Sequence, residues 1–385
     1  MTKIRMGMVG GGEGAFIGAV HRWAAALDCD IELVCGAFSS DADRSARSGA
    51  ALHLPPARVY ASYQEMMARE KTLPTDQRMQ FVAIVTPNHT HFAVAEAALR
   101  AGFHVMSDKP ATFSLDEALS LRELVAETGL LYGLTHAYAG YPMVKEARQR
   151  IATGELGNVR KIVVEYPQGW LAGREEESGN KQASWRLDPQ QAGISCTIGD
   201  IGVHAAHLAE YISGLQISEM CADLAPVVAG RTLDDDGSIL LRFNNGAKGV
   251  LIASQVSVGE ENNLRIRIYG DQGGLDWSQQ EPNTLWLKWN DRPTQMLRTG
   301  MPYLSELATA NTRTPNGHPE GYLEAFANLY MAFAGQIRAR ESGCQPDARA
   351  MDCPGIEDAV RGMAFIEHAV AASNSEKKWH SLPQY

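Results

Sequence analysis

Residues 4–135 alternate short apolar runs with helix-forming segments, and few folds accept that rhythm. The runs are IRMGMV (4–9), IELVCGAF (31–38), FVAIVTP (81–87), FHVMSDKP (103–110) and LLYGLT (130–135). Between them, FIGAVHRWAAAL, the Ala-rich DADRSARSGAAL and HFAVAEAALRAG have helical spacing, and Phe92, Ala95 and Leu99 share one face. Gly102 stands where a helix stops, and Ser114 with Glu117 forms a capping box for a helix ending near Gly129. Runs that are apolar throughout, linked by helices, predict a doubly wound parallel sheet.

From about residue 136 the rhythm changes. YPMVKEARQRIATGELGNV reads as a helix with a Gly-rich end, and VRKIVVEY as a strand. Over 217–290 follow ISEMCADL, GSILLRF, AKGVLIASQ, NLRIRIYG, GLDW and TLWLKW, with an Asn-Gly hairpin signal between the second and third. Helices are expected at about 318–341 and 354–372. The chain thus reads as an α/β domain over residues 1–135 and an α+β domain over 136–385. The second carries a large, mainly antiparallel open sheet and the substrate-binding and oligomerisation functions.

VGGGEGAFIG (9–18) follows the first run and leads into a helix. At that place a dinucleotide pyrophosphate binds, because glycine lets backbone N–H groups approach the phosphates and the helix N-terminus adds positive potential. Gly10 and Gly12 fit the first two glycines of the usual loop, while five residues precede Gly18 where two are usual. Phe16 and Ile17 fall at the helix start. After the second run, Phe38 occupies the usual site of a ribose-binding carboxylate. Ser39 and Arg44 can hold a 2′-phosphate, which leans toward NADP; Asp41 can instead reach the ribose of NAD, or Ser39–Asp41 can serve as a helix cap.

TPNHTH (86–91), DKP (108–110), WRLDPQQAG (185–193) and GDIGVHAAHL (199–208) follow in that order. Together they resemble the glucose–fructose oxidoreductase / inositol dehydrogenase (Gfo/Idh/MocA) family of NAD(P)-dependent dehydrogenases, over the first domain and at least to residue 210. The resemblance implies a Rossmann N-terminal domain. It implies a lysine at the nicotinamide, here Lys109, and an acid–base pair, here Asp200 and His204. Thr86, Pro87, Asn88, His91 and Asp108 would line the cofactor with Lys109. Departures are the long glycine loop, Asp108 where glutamate is common, and His207 where aspartate is usual.

Oxidising a secondary alcohol needs a base for the hydroxyl proton, and histidine has an ordinary pKa near working pH. On a helix, Asp200 and His204 share a face, so the carboxylate can orient the ring. Lys109, at the carboxyl end of a parallel strand, can polarise the reacting oxygen. Tyr138, Trp185, Arg186 and His318 are further substrate-pocket candidates, with a core role for Trp185 as the alternative. The expected reaction is hydride transfer between NAD or NADP and a sugar, inositol or related cyclic polyol. The rivals are a non-catalytic dinucleotide sensor and a metal-dependent hydrolase or epimerase, the latter suggested by the spacing of Asp200, His204 and His207. No metal is expected on the first reading.

The net charge of −10 argues against nucleic acid as a partner. No run approaches the roughly 18 apolar residues of a membrane span. The N-terminal apolar run is too short for a signal peptide, and six cysteines without a C-x-x-C pair fit a reducing compartment, so a cytoplasmic protein is expected. A sheet with one exposed face predicts a homodimer or homotetramer.

Overall fold

The computed structural model describes residues 2–385. Contacts divide the chain into two compact units, residues 1–137 with 323–360, and residues 138–322 with 361–385.

The first unit is built on strands β1 (Ile4–Gly10), β2 (Ile31–Ala37), β3 (Phe81–Val85), β4 (His104–Ser107) and β5 (Tyr132–Leu134). All pair in parallel in the order β2-β1-β3-β4-β5. The connections carry helices α1 (Phe16–Leu27), α2 (Ala42–Ala51), α3 (Tyr63–Glu70), α4 (His91–Ala101) and α5 (Leu115–Thr128). The punctuation behaves as the sequence predicts. Gly102 and Gly129 end α4 and α5 in the left-handed region, and Ser114 accepts the Glu117 N–H while the Glu117 carboxylate accepts that of Phe113. Every residue of β3 is buried, as a central parallel strand requires. The strand order reverses between β1 and β3, so their carboxyl ends open the crevice where such sheets bind ligands.

The second unit has a nine-stranded sheet formed by β6 (Val159–Pro167), β7 (Ile217–Ala225), β8 (Asp236–Phe243), β9 (Lys248–Ser254), β10 (Arg265–Gly270), β11 (Gly273–Ser278), β12 (Thr284–Trp289), β13 (Gln295–Arg298) and β14 (His380–Ser381). Their order is β13-β12-β11-β10-β6-β9-β8-β7-β14, antiparallel except for the parallel pair β6–β9. The Asn-Gly turn joins β8 to β9 as expected, with Gly246 at φ +87°. Alternation is clean: Ile162, Val164 and Tyr166 of β6 are buried, while Val163 and Glu165 face the more open side. Helices α6 (Pro142–Ala152) and α9 (Val203–Ser213) pack with these strands. The short helices α7 (Lys181–Arg186), α8 (Pro189–Ala192) and α10 (Glu306–Ala310) lie in connections.

Helix α11 (Tyr322–Glu341) and the start of α12 (Ile356–Ser373) fall largely in the first unit by contacts, although they follow the second in sequence. Almost all of α11 belongs to the first unit. Phe333 and Tyr330 meet Phe81 of β3 at ring-centroid distances of 5.5 and 6.2 Å, and Gly133 leaves room for Phe333. Burying such aromatics is worth roughly 2–3 kcal/mol each, which fixes the helix against this sheet. None of the described helices is long and apolar enough to cross a membrane.

Candidate active site

In the first unit, β1 ends at Gly10 and Gly11, with φ of +80° and +68°. A Cβ on Gly10 would lie 2.6 Å from the Val85 carbonyl oxygen and 2.8 Å from Thr86 Cγ2, so the glycine loop lies against the loop after β3. Gly18 approaches Gly11 so closely that a Cβ there would be 2.3 Å from the Gly11 Cα. The long spacing is absorbed by a turn closed from Ala15 N–H to the Gly12 carbonyl. Gly12 N–H donates to the Phe38 carbonyl (3.2 Å) and Glu13 N–H to Ser48 Oγ (3.0 Å). The N-terminus of α1 has no side-chain cap and no acid in its first turn, Phe16 being exposed and Ile17 half-buried. A backbone that admits no Cβ and an uncapped helix start fit a pyrophosphate.

At the end of β2 the Phe38 ring is buried and folds over Gly36. Ser39 Oγ accepts from Asp41 N–H, and Asp41 caps α2 by accepting the Arg44 N–H at 2.7 Å. Locally, then, Ser39–Asp41 is a helix cap, and the Arg44 side chain is exposed.

After β3, residues Asn88–Thr90 make a 3-10 turn before α4 begins at His91. Thr90 Oγ1 donates toward Thr86 Oγ1 and the Pro87 carbonyl, and Asn88 is buried. After β4, the Asp108 carboxylate accepts from Lys109 N–H and Thr135 Oγ1, both at 2.9 Å, and Lys109 is half-buried. Buried His91 lies between these two loops, with Nε2 2.8 Å from the Thr86 carbonyl and Nδ1 2.7 Å from the Pro110 carbonyl. His21 of α1, which no sequence signal picked out, contacts Tyr330 Oη through Nδ1 at 2.7 Å; burial lowers its pKa to about 4 despite Asp108.

In the second unit, Asp200 does not stand in a regular α-helix. Ile198–Gly202 form a π-turn, and regular helix resumes at Val203. The expected one-face spacing of Asp200 and His204 therefore crosses a change of helical pitch, a feature common at functional sites. The turn hangs on buried Asp234, which accepts from Ser195 Oγ, Cys196 N–H and Ile198 N–H. Burial raises the Asp234 carboxyl, and those three donors oppose it.

Asp200 Oδ2 accepts from Arg186 Nε at 3.1 Å and Gln255 Nε2 at 2.9 Å. The Arg186 guanidinium also lies over the Trp185 ring, 4.3 Å from its centroid. From Gln255 the chain continues. Its amide donates to Gln168 Oε1, Gln168 Nε2 donates to Asn262 Oδ1, and Asn262 Nδ2 donates to Tyr138 Oη. Tyr166 donates to Asn262 Oδ1 at 2.7 Å, which leaves the Tyr138 proton for Tyr166. Burial raises both phenols, so both stay protonated. The His204 ring meets Tyr138 edge-to-face at 4.9 Å, and His207 stacks on Tyr211.

This network joins Tyr138, Arg186, Asp200 and His204 but not His318, which sits in an exposed turn held by its backbone. Gln168, Tyr166, Gln255 and Asn262 were missed. Tyr166 was detectable as a hydroxyl at the inward parity of β6, and Gln255 as a polar residue ending the apolar run of β9. Among the described residues no three His, Cys, Asp or Glu side chains cluster as a metal requires.

Two family models match the chain: an oxidoreductase family with an NAD-binding Rossmann fold over residues 4–136, and the GFO/IDH/MocA C-terminal domain over 144–276. The Bacillus subtilis (strain 168) oxidoreductase YfiI is 33% identical over 379 residues, covering 98% of this chain and 96% of that protein. The chain belongs to the Gfo/Idh/MocA family. It is accordingly an NAD-binding oxidoreductase. Similar solved members include an oxidoreductase from Sinorhizobium meliloti (43% identity, 99% of this chain and 100% of that one, TM-score 0.88). An inositol dehydrogenase homolog from Azotobacter vinelandii is 35% identical. Its NAD+ complex covers 99% of this chain and 97% of that one with TM-score 0.93, and its complex with NADH and myo-inositol gives 99%, 98% and 0.91.

Proposed function

We propose that this Gfo/Idh/MocA protein oxidises a secondary alcohol of an uncharged sugar, inositol or related cyclic polyol. The observation that carries the reading is the chain of amides and hydroxyls from Asp200 to Tyr138, against whose ring His204 lies. Such groups match hydroxyls by donating and accepting in turn. The one guanidinium in that network, Arg186, is paired with Asp200, so its charge is already engaged within the network.

Gly10, Gly12, Phe16, Ile17, Thr86, Pro87, Asn88 and Asp108 are assigned to the cofactor's cradle. When bound, NAD supplies the hydride acceptor. His204 takes the hydroxyl proton as the carbon–hydrogen bond gives up its electron pair, so the alcohol leaves as a ketone. Asp200, held by Arg186 and Gln255, orients the ring or a neighbouring hydroxyl. Lys109 stabilises negative charge developing on the reacting oxygen. Tyr138, Trp185 and Arg186 shape the substrate's surroundings, and His318 is assigned to the substrate only by its sequence context.

We take NAD over the NADP suggested by Ser39 and Arg44. The Asp41 carboxylate caps α2 where a 2′-phosphate would otherwise gain from the helix start, and it repels one. Half-buried Val163, Val250 and Ile252 on the open side of the sheet support self-association as a homodimer or homotetramer. The test is Lys109→Ala and His204→Ala, each expected to lower turnover by about 100-fold or more. Unchanged turnover on a substrate the wild type oxidises sinks the reading.

A further inference from the structure

His91 faces two backbone carbonyls with its two ring nitrogens, Pro110 at 2.7 Å and Thr86 at 2.8 Å, and its side chain is 1% exposed. No edge of the ring is left for a cofactor. Its partners stand on different loops: Thr86 directly follows β3, and Pro110 directly follows Lys109. The ring thus links the end of β3 to the residue that follows Lys109, whose own N–H donates to Asp108.

The geometry points to His91 as a positioning residue for Lys109, tying the Lys109–Pro110 segment to the end of β3, in place of the cofactor contact expected from the sequence. This rests on the reading of Lys109 as the polarising group. A carbonyl only accepts, so each contact calls for a ring proton: the neutral ring holds one carbonyl and the imidazolium both. Burial lowers the His91 pKa, while Asp108 and the two carbonyls oppose that fall and Lys109 adds to it. From α1 the facing titratable group is His21, neutral through burial and joined to Tyr330 of α11. On α4 itself Glu96 is paired with Arg100. In either protonation state a ring proton ties His91 to at least one of the two carbonyls, and the ring stands between both loops.

The experiment compares wild type, His91→Ala and His91→Gln, the last keeping an N–H donor. Three quantities are read: NADH affinity by fluorescence titration, kcat and KM on a substrate the wild type oxidises, and the rate at which a soluble amine acylating reagent modifies Lys109 in cofactor-free protein, by peptide mass spectrometry. Thermal melts identify the folded fraction of each. His91→Ala is expected to lower kcat about tenfold or more while NADH affinity changes less than about threefold. Lys109 modification should change several-fold, and His91→Gln should recover part of both. NADH affinity falling in step with kcat would overturn the proposal, and so would an unaltered Lys109 modification rate. If the wild type oxidises no polyol, the dehydrogenase reading fails, and the Lys109 modification rate still decides the role of His91.

Discussion

Strand β4 delivers Asp108 and Lys109, and its first residue offers a stability test with a calculable size. His104 is buried and accepts the Leu131 N–H at Nδ1, 3.0 Å away, so the ring must be neutral with its proton on Nε2. Protonating Nδ1 would set one donor against another and leave a buried charge. Burial, with the Arg340 guanidinium adding to it, lowers the pKa from 6.5 to about 4. A depressed folded-state pKa contributes stability that is fully present above the unfolded value and is lost as pH falls toward the folded one. From about pH 7.5 to about pH 4.5 that loss comes to about 2–3 kcal/mol. His104→Asn keeps an acceptor but cannot titrate. Denaturant unfolding of both proteins at the two pH values isolates the effect, because His21 and every other titrating group are common to both. The stability difference between wild type and variant should shrink or reverse by about 2–3 kcal/mol on acidification. A difference that does not move with pH refutes the assignment of a buried neutral ring.

Arg231→Met leaves Asp235, wholly buried and otherwise bonded by the Val227 and Val228 N–H groups, without its cation. It also frees the 171–176 segment that Arg231 holds through the Leu171 and Gly173 carbonyls and Glu176. A loss of about 3–5 kcal/mol is expected by chemical denaturation. Gly12→Ala would bring a Cβ to 2.7 Å from both the Phe38 carbonyl oxygen and Ser48 Oγ. The strain of about 1–3 kcal/mol should appear as a lowered Tm and as NADH affinity weakened about tenfold, read by fluorescence. Asp41→Ser removes the carboxylate at the start of α2, and the ratio of NADP+ to NAD+ kcat/KM should rise; a ratio that stays fixed removes Asp41 from cofactor choice.

The parallel sheet was legible because each of its strands announces itself locally, as β3 does with FVAIV, and because Gly102 and Ser114 mark helix ends by their own backbone chemistry. The second sheet was legible through the alternation of β6 and β8 and the Asn-Gly turn between β8 and β9, although its parallel β6–β9 pair was not. That pair depends on residues more than eighty positions apart, and no local period encodes it. The same holds for α11, whose aromatics meet Phe81 across most of the chain's length. At the candidate site, Asp200, His204 and Arg186 were named from their motifs, and the structure places them in one network. The π-turn was not legible: its i→i+5 bond, from the Val203 N–H to the Ile198 carbonyl, has no local sequence signal, and the Asp234 carboxylate that accepts from Cys196 and Ile198 at the start of the turn comes from a distant part of the chain. Gln168 and Asn262 were invisible for a similar reason: a single amide in a connection has no signature until its partners are assembled around it. The glycine loop shows the reverse, where an irregular spacing still produced the close Gly11–Gly18 approach that the regular spacing serves.

The most direct test of the account is to incubate the purified protein with NAD+ and a panel of cyclic polyols and sugars, set beside sugar phosphates and uronic acids, and follow reduced nicotinamide by absorbance. The account predicts reduction with at least one uncharged polyol or sugar, lost in His204→Ala, and none with the anionic compounds. Reduction by the phosphates or uronates alone, or NAD+ reduction by uncharged polyols that survives in His204→Ala, would contradict it.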